Sequence, residues 1–186
     1  MSCRAVVVGI GNEFRNDDGV GLEVVHRLEP RMPSGARAVL SDGEPTQLIE
    51  AWGGVALAVV VDAVTGGTAP AGTLHRLTLA GDEQAWMSSA TAFGASGEAG
   101  RRREGHIASW HGTGLGTAVE LGLALGRLPA MLVVHGVQAS DVSQGRGLSP
   151  EVAGAVDGLV DLILAELPAA LDPSAQPQSG TLRQRR

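Results

Sequence analysis

A chain of 186 residues is long enough for one α/β domain with a full core and short for two. Its 44% hydrophobic content suits a globular protein, and its net charge of −6 argues against a nucleic-acid partner held by general electrostatics. The single cysteine, Cys3, excludes an internal disulfide and fits a reducing cytoplasm, and no apolar run approaches membrane-spanning length.

The first element, Ala5–Ile10 (AVVVGI), is a continuous apolar run ended by a turn, the pattern of a strand buried on both faces. No signal-peptide pattern precedes it, so a cytoplasmic location with no membrane partner is expected. Apolar residues at Val20, Val24, Val25 and Leu28 have helical spacing, with Asp17 or Asp18 near the N-cap and Pro30 and Pro33 as stops. Ala36–Leu40 is a second strand, closed by Ser41–Asp42–Gly43, and Thr46 to Trp52 suits a short helix. Val55–Val61 (VALAVVV) is the most hydrophobic strand and the expected centre of the sheet, with Asp62 at its end. Thr73–Leu79 (TLHRLTL) alternates apolar and polar, as a half-exposed antiparallel edge strand does.

Gly81 to Ile107 has no clear period and reads as an irregular loop with one helical turn near Trp86; its Arg101–Arg102–Arg103 run, followed by Glu104, reads as solvated. Thr113–Leu125 is a helix, Met131–Val137 a fifth strand, and Ser149–Leu167 a final helix with Ser149 at the N-cap and Pro150 at N1. Residues 168–186 have the composition of a disordered tail. Strands alternating with helices through short connections predict a three-layer α/β/α sandwich over residues 1–167. Its sheet is expected to be five-stranded and mainly parallel, with one antiparallel edge strand.

In such sheets the functional crevice lies beyond the carboxyl ends of the strands. Three of those ends carry acids: Asp17/Asp18, Asp42 and Asp62. Any one of them alone reads as a helix cap or an Asx-turn. Three together crowd like charges, which cost energy unless a cation or proton compensates. The turn Gly9–Ile–Gly11–Asn–Glu–Phe14 starts like a dinucleotide fingerprint, but Phe14 takes the third glycine position and the two acids would repel a pyrophosphate. All basic residues are Arg, so a Walker-type loop with its lysine is also excluded. The crevice suits a positive group.

His111, in the run Ser109–Trp–His–Gly–Thr–Gly–Leu115, sits at the start of the third long helix beside glycines. Taken alone, it reads as a surface residue. With Asp18 and Asp62 it makes an imidazole and two carboxylates with open positions, a ligand set for a divalent transition metal. His26 on the first helix, His75 on the edge strand and His135 inside the fifth strand read as structural, and His106 as a loop residue.

GIGNEFRNDDGVG, VVVDAV, SWHGTGLG and GRGLSPEV, in this order, resemble the endopeptidases that mature nickel-iron hydrogenases, over roughly residues 4 to 167. The resemblance implies a cytoplasmic, aspartic-type endopeptidase that removes a C-terminal peptide from the hydrogenase large-subunit precursor once nickel is installed. It implies that Asp18, Asp62 and His111 contact the metal and serve catalysis, and that the nickel comes with the substrate. Asp17 then caps the helix or holds the turn, and the glycines let a large protein surface approach. Two features depart from the family: Asp42–Gly43–Glu44–Pro45–Thr46 stands where Asp-Gly-Gly-Thr is common, and the segment from Gly81 to Ile107 is longer and richer in Arg. Without a Ser-His-Asp order or a Cys–His pair, acyl-enzyme chemistry is disfavoured and a water polarised by metal or carboxylate remains. The alternative is a non-enzymatic nickel-binding or metallochaperone module of the same fold.

Overall fold

The computed structural model describes residues 3–66, 68–80, 86 and 114–172. Five strands form one sheet: β1 (Ala5–Ile10), β2 (Ala36–Ser41), β3 (Leu57–Val64), β4 (Leu74–Ala80) and β5 (Met131–Gln138). Their order is β2-β1-β3-β5-β4, with β4 antiparallel to β5 and all other neighbours parallel. The most apolar strand is therefore central, and the alternating strand is the antiparallel edge.

Among the helices whose full span is described, α1 (Val20–Leu28), α2 (Pro45–Trp52), α3 (Leu115–Ala124) and α4 (Pro150–Leu171) cover the sheet. α1 packs beside α4 on one face, and α2 beside α3 on the other. β1 and β3 are buried along their whole length, and alternation divides their side chains between two cores. Val7, Val59, Val61 and Val133 meet α1 and α4, while Val8, Val60, Leu132 and Val134 meet α2 and α3 with Trp52. Each fully buried side chain of this kind contributes about 1.5–3 kcal/mol. The three-layer sandwich follows from two apolar faces that both need cover. Among the described residues, no helix is long and apolar enough to cross a membrane.

Most boundaries shift by one or two residues, and three differences bear on the site or the chain end. β3 continues through Asp62 to Val64, because β5 supplies partners as far as Gln138. α1 is capped by Gly19, and the two acids lie just before it in a 3-10 turn, Asn16–Gly19. α4 passes 167 and includes Pro168, ending at Leu171. Its last turn is held from outside: Ala170 accepts a hydrogen bond from Arg4 Nε at 3.2 Å, and Leu171 lies against Gly35. Residues 168–171 thus belong to the fold and not to a tail. The irregular segment expected over 81–107 lies outside the described residues except for Trp86, which is helical and buried in the α2/α3 core.

Candidate active site at the carboxyl edge of the sheet

The strand order reverses between β1 and β3, so the crevice expected of an open α/β sheet lies at their carboxyl ends. The glycines of the first turn build that junction from within. A Cβ on Gly9 would meet the Gly21 carbonyl oxygen at 2.1 Å, and one on Gly21 would meet the carbonyls of Ile10 at 2.3 Å and Val61 at 2.6 Å. Only glycine allows α1 to start this close to β1 and β3. Gly11, at φ +154°, folds the loop so tightly that a Cβ would meet the Asp18 carbonyl at 1.9 Å. Gly9, Gly11 and Gly21 thus serve internal packing.

Asp17 is fully buried and anchors this loop to the one after β5. Its Oδ2 accepts from the amides of Ser140 at 2.9 Å and Asp141 at 3.0 Å and from the Ser149 hydroxyl at 3.0 Å. Its Oδ1 accepts from the Ser149 amide at 2.6 Å. Burial pushes this carboxyl up, but the hydrogen bonds from Ser149, Asp141 and Ser140 outweigh it and hold the pKa below the ordinary carboxylate range. Neighbouring contacts complete the latch. Asn16, in the left-handed region at φ 47°, donates from Nδ2 to Asp141 Oδ2 at 3.0 Å, and Arg15 Nε donates to the Val142 carbonyl at 3.2 Å. Arg146 lies over the Phe14 ring at 4.4 Å. Ser149 is the N-cap residue of α4, yet its side chain makes no cap hydrogen bond; the hydroxyl goes to Asp17 instead. Sequence reasoning named both residues and missed their bond, which joins positions 132 apart.

Asp18, the next residue, is not among the acceptors of this latch. It is half-buried, and burial raises its pKa above the ordinary value against the opposing pull of Arg15 and the Asn12 amide. Asp62 is fully buried within β3, and its Oδ1 accepts the Ala63 amide at 2.8 Å. The turn carrying Asp18 packs against β3. Gly21 lies against the carbonyls of both Ile10 and Val61, so Asp18 precedes and Asp62 follows one shared junction. Alternation places Asp62 on the α2/α3 side of the sheet, with Val60 and Val64.

The other sequence candidates divide clearly. Asp42 is exposed, and its Oδ1 accepts the Glu44 amide at 3.1 Å, an Asx-turn. Glu44 is the N-cap of α2: its carboxylate accepts the Gln47 amide at 2.9 Å and the Thr46 hydroxyl. The departure at Glu44–Pro45 is therefore a helix start in its own right. His26 is exposed on α1. His135 is buried on the α1/α4 side, where Nε2 pairs with Glu166 at 3.1 Å, and Glu166 also accepts from Arg76 at 3.0 Å. His106, His111 and Arg101–Arg103 lie outside the described residues. Gly114, which caps α3, closes on the β2–α2 loop: a Cβ there would meet the Gly43 carbonyl at 2.1 Å. Among the described residues, no three His, Cys, Asp or Glu side chains form a group able to hold a metal ion.

No protein-family model matches the chain, and no curated protein does. Solved structures do. The hydrogenase maturating endopeptidase HybD from E. coli superposes with a TM-score of 0.62 at 22% identity, covering 89% of this chain and 92% of that one. The NiFe hydrogenase maturation protease HybD from Thermococcus kodakarensis gives 0.63 at 22% identity, with 88% and 98% covered. A hydrogenase 2 maturation peptidase from a Thaumarchaeota archaeon gives 0.58 at 24% identity, with 88% and 97% covered. The chain thus has the fold of these peptidases over nearly their whole length.

Proposed function

We propose that this protein is a hydrogenase maturation endopeptidase, which hydrolyses one peptide bond near the C-terminus of a nickel-iron hydrogenase large-subunit precursor. The nickel belongs to the substrate, and Asp18, Asp62 and His111 receive it. Shared fold supports the class of protein, and the acidic junction supports the role. The observation that carries the reading is the state of Asp18. Burial disfavours its charge at a place where a second buried acid, Asp62, flanks the same junction. A divalent cation placed there offsets the burial of the Asp18 charge, whereas a phosphate would add to its cost.

The division of labour between the adjacent acids follows from their partners. Asp17 fixes the loop through four accepted hydrogen bonds, and Asp18 is left to meet the substrate's cation. Two carboxylates and one imidazole make a sparse ligand set, so firm binding awaits the further ligands that a precursor supplies. Nickel then acts as a checkpoint. The attacking group is a water polarised by the metal or by a carboxylate.

The test is to incubate the purified protein with nickel-loaded precursor and to read the precursor's intact mass. Loss of a C-terminal peptide with wild type, and its absence with Asp62→Asn, supports the reading. A precursor that binds but stays whole would instead make the protein a non-enzymatic nickel-binding module.

A further inference from the structure

Gln138, the last residue of β5, carries a side-chain amide on a residue only 6% exposed. Burying such a group is costly unless its hydrogen bonds are made. Its Nε2 donates to the Val64 carbonyl at 3.2 Å and to the Gly66 carbonyl at 3.0 Å. Two carbonyl partners fix which way the amide faces, since only its NH2 end can donate. The main chain of the same residue holds the far end of the β3–β4 connection. Its amide donates to the Thr73 carbonyl at 2.9 Å, and its carbonyl accepts from the Gly72 amide at 2.8 Å. Gln138 thus gathers both ends of the segment that follows Asp62. The next residue extends the tie, as the Ala139 amide donates to the Val64 carbonyl at 2.9 Å. Ser140 and Asp141 come directly after, and their amides bind Asp17. Residues 138–141 therefore touch the end of β3 on one side and the latch of the Asp17–Asp18 loop on the other. Val64 pairs with Gln138 and Asp62 with Gly136, so Gln138 and Asp62 stand on one side of the sheet.

We propose that Gln138 is a positioning residue of the acidic junction, holding the strand end that carries Asp62 in fixed register with the loop that carries Asp18. The inference rests on the reading of Asp18 and Asp62 as acids that receive the substrate's cation. Asp62 lies two residues before the clamped Val64, and its Oδ1 accepts the amide of Ala63 between them. A shift of the strand end therefore moves the carboxylate. The chain turns at Gly66, at φ +81°, where a glycine backbone has wide conformational freedom, so the restraint comes from a side chain. The amide suits this task better than its isosteres. A glutamate would lose both donors and add a negative charge on Asp62's side of the sheet, and a methionine would fill the space and tie nothing. Gln138 acts through Asp62 and needs no contact with the substrate. The effect on cleavage is large because a misplacement of about 1 Å in a reacting site can cost about 10²-fold in rate.

The experiment compares the full-length wild type, Gln138→Met and Arg4→Ala, the last losing a hydrogen bond at the opposite, amino edge of the sheet. Amide hydrogen exchange of the free proteins is read at Ala63 and Ala139, and cleavage of nickel-loaded precursor is resolved into kcat and KM. Gln138→Met should speed exchange at both amides by about fivefold or more, the effect of losing hydrogen bonds that hold the strand end. It should lower kcat by about tenfold or more while KM stays within about twofold, the pattern of a misplaced reacting group. Arg4→Ala should keep wild-type exchange at these amides and wild-type kcat although its Tm falls. Wild-type exchange or wild-type kcat in Gln138→Met would overturn the proposal, as would a kcat loss matched by Arg4→Ala. Where Gln138→Met does not fold, Gln138→Asn makes the same comparison, because its amide is one methylene shorter and cannot span to both carbonyls. A wild type that leaves the precursor whole removes the cleavage reading, and exchange alone then decides whether Gln138 holds Asp62.

Discussion

Asp17→Asn is the substitution that best separates the two adjacent acids. The asparagine fills the same space but has one acceptor oxygen and one donor nitrogen. Its better orientation leaves the oxygen facing Ser140, Asp141 and the Ser149 hydroxyl, and turns the NH2 toward the Ser149 amide, which in the wild type donates to Oδ1 at 2.6 Å. One charge-assisted bond is replaced by two donors facing each other, and the other three lose their charge assistance. A hydrogen bond to a charged group contributes about 1.5–3 kcal/mol, so a net loss of about 3 kcal/mol is expected. In a domain of this size that lowers Tm by roughly 6–12 °C. The acid dependence should change as well. The folded pKa of Asp17 lies below its unfolded value, so its contribution is present above the ordinary carboxylate range and is lost as pH falls through the folded value. Thermal melts from pH 7 down to the acid limit of folding should therefore converge for wild type and variant. An unchanged or raised Tm at pH 7 would refute the anchoring role, because removal of mere like-charge repulsion would have that result.

Asp18→Asn should behave oppositely in the free protein. Its folded pKa is raised, so wild-type stability falls as pH rises through that range, and the variant should melt slightly higher at pH 7 while losing about tenfold or more of precursor cleavage; a lowered Tm in a correctly folded variant would contradict this. Gly21→Ala, which drives a methyl into the Ile10 and Val61 carbonyls, should cost about 1–3 kcal/mol in denaturant unfolding, and a silent substitution would show that α1 is free to move off the sheet. A chain ending after Asp172 should keep the Tm of the full chain, whereas one ending after Leu167 should fall below it, since the Arg4–Ala170 bond and the Leu171 contact are removed; equal Tm values for the two truncations would show that the last turn of α4 adds nothing.

The elements whose signal is local were legible in advance. AVVVGI and VALAVVV are buried strands because every side chain is apolar, and TLHRLTL is an edge because only one of its faces is. Ser149–Pro150 marks a helix start through its own backbone preference. What was not legible depends on partners distant in the chain. β3 includes Asp62 because β5 pairs beyond it, so an acid that looks like a strand terminus is buried inside the sheet. α4 runs through a proline because Arg4 and Gly35 meet its last turn. The difference between Asp17 and Asp18, identical side chains one residue apart, exists only through the amides of the 140–149 loop.

The central claim is that substrate-borne nickel licenses cleavage through the acidic junction. The direct measurement offers wild-type protein equal amounts of nickel-loaded and nickel-free precursor and follows release of the C-terminal peptide by mass spectrometry, with Asp18→Asn and Asp62→Asn run beside it. The account predicts release from the loaded precursor by wild type, release lower by about tenfold or more in both variants, and none from the nickel-free form. Equal release from both precursors would contradict the nickel checkpoint, and full activity in both variants would remove the two carboxylates from the site.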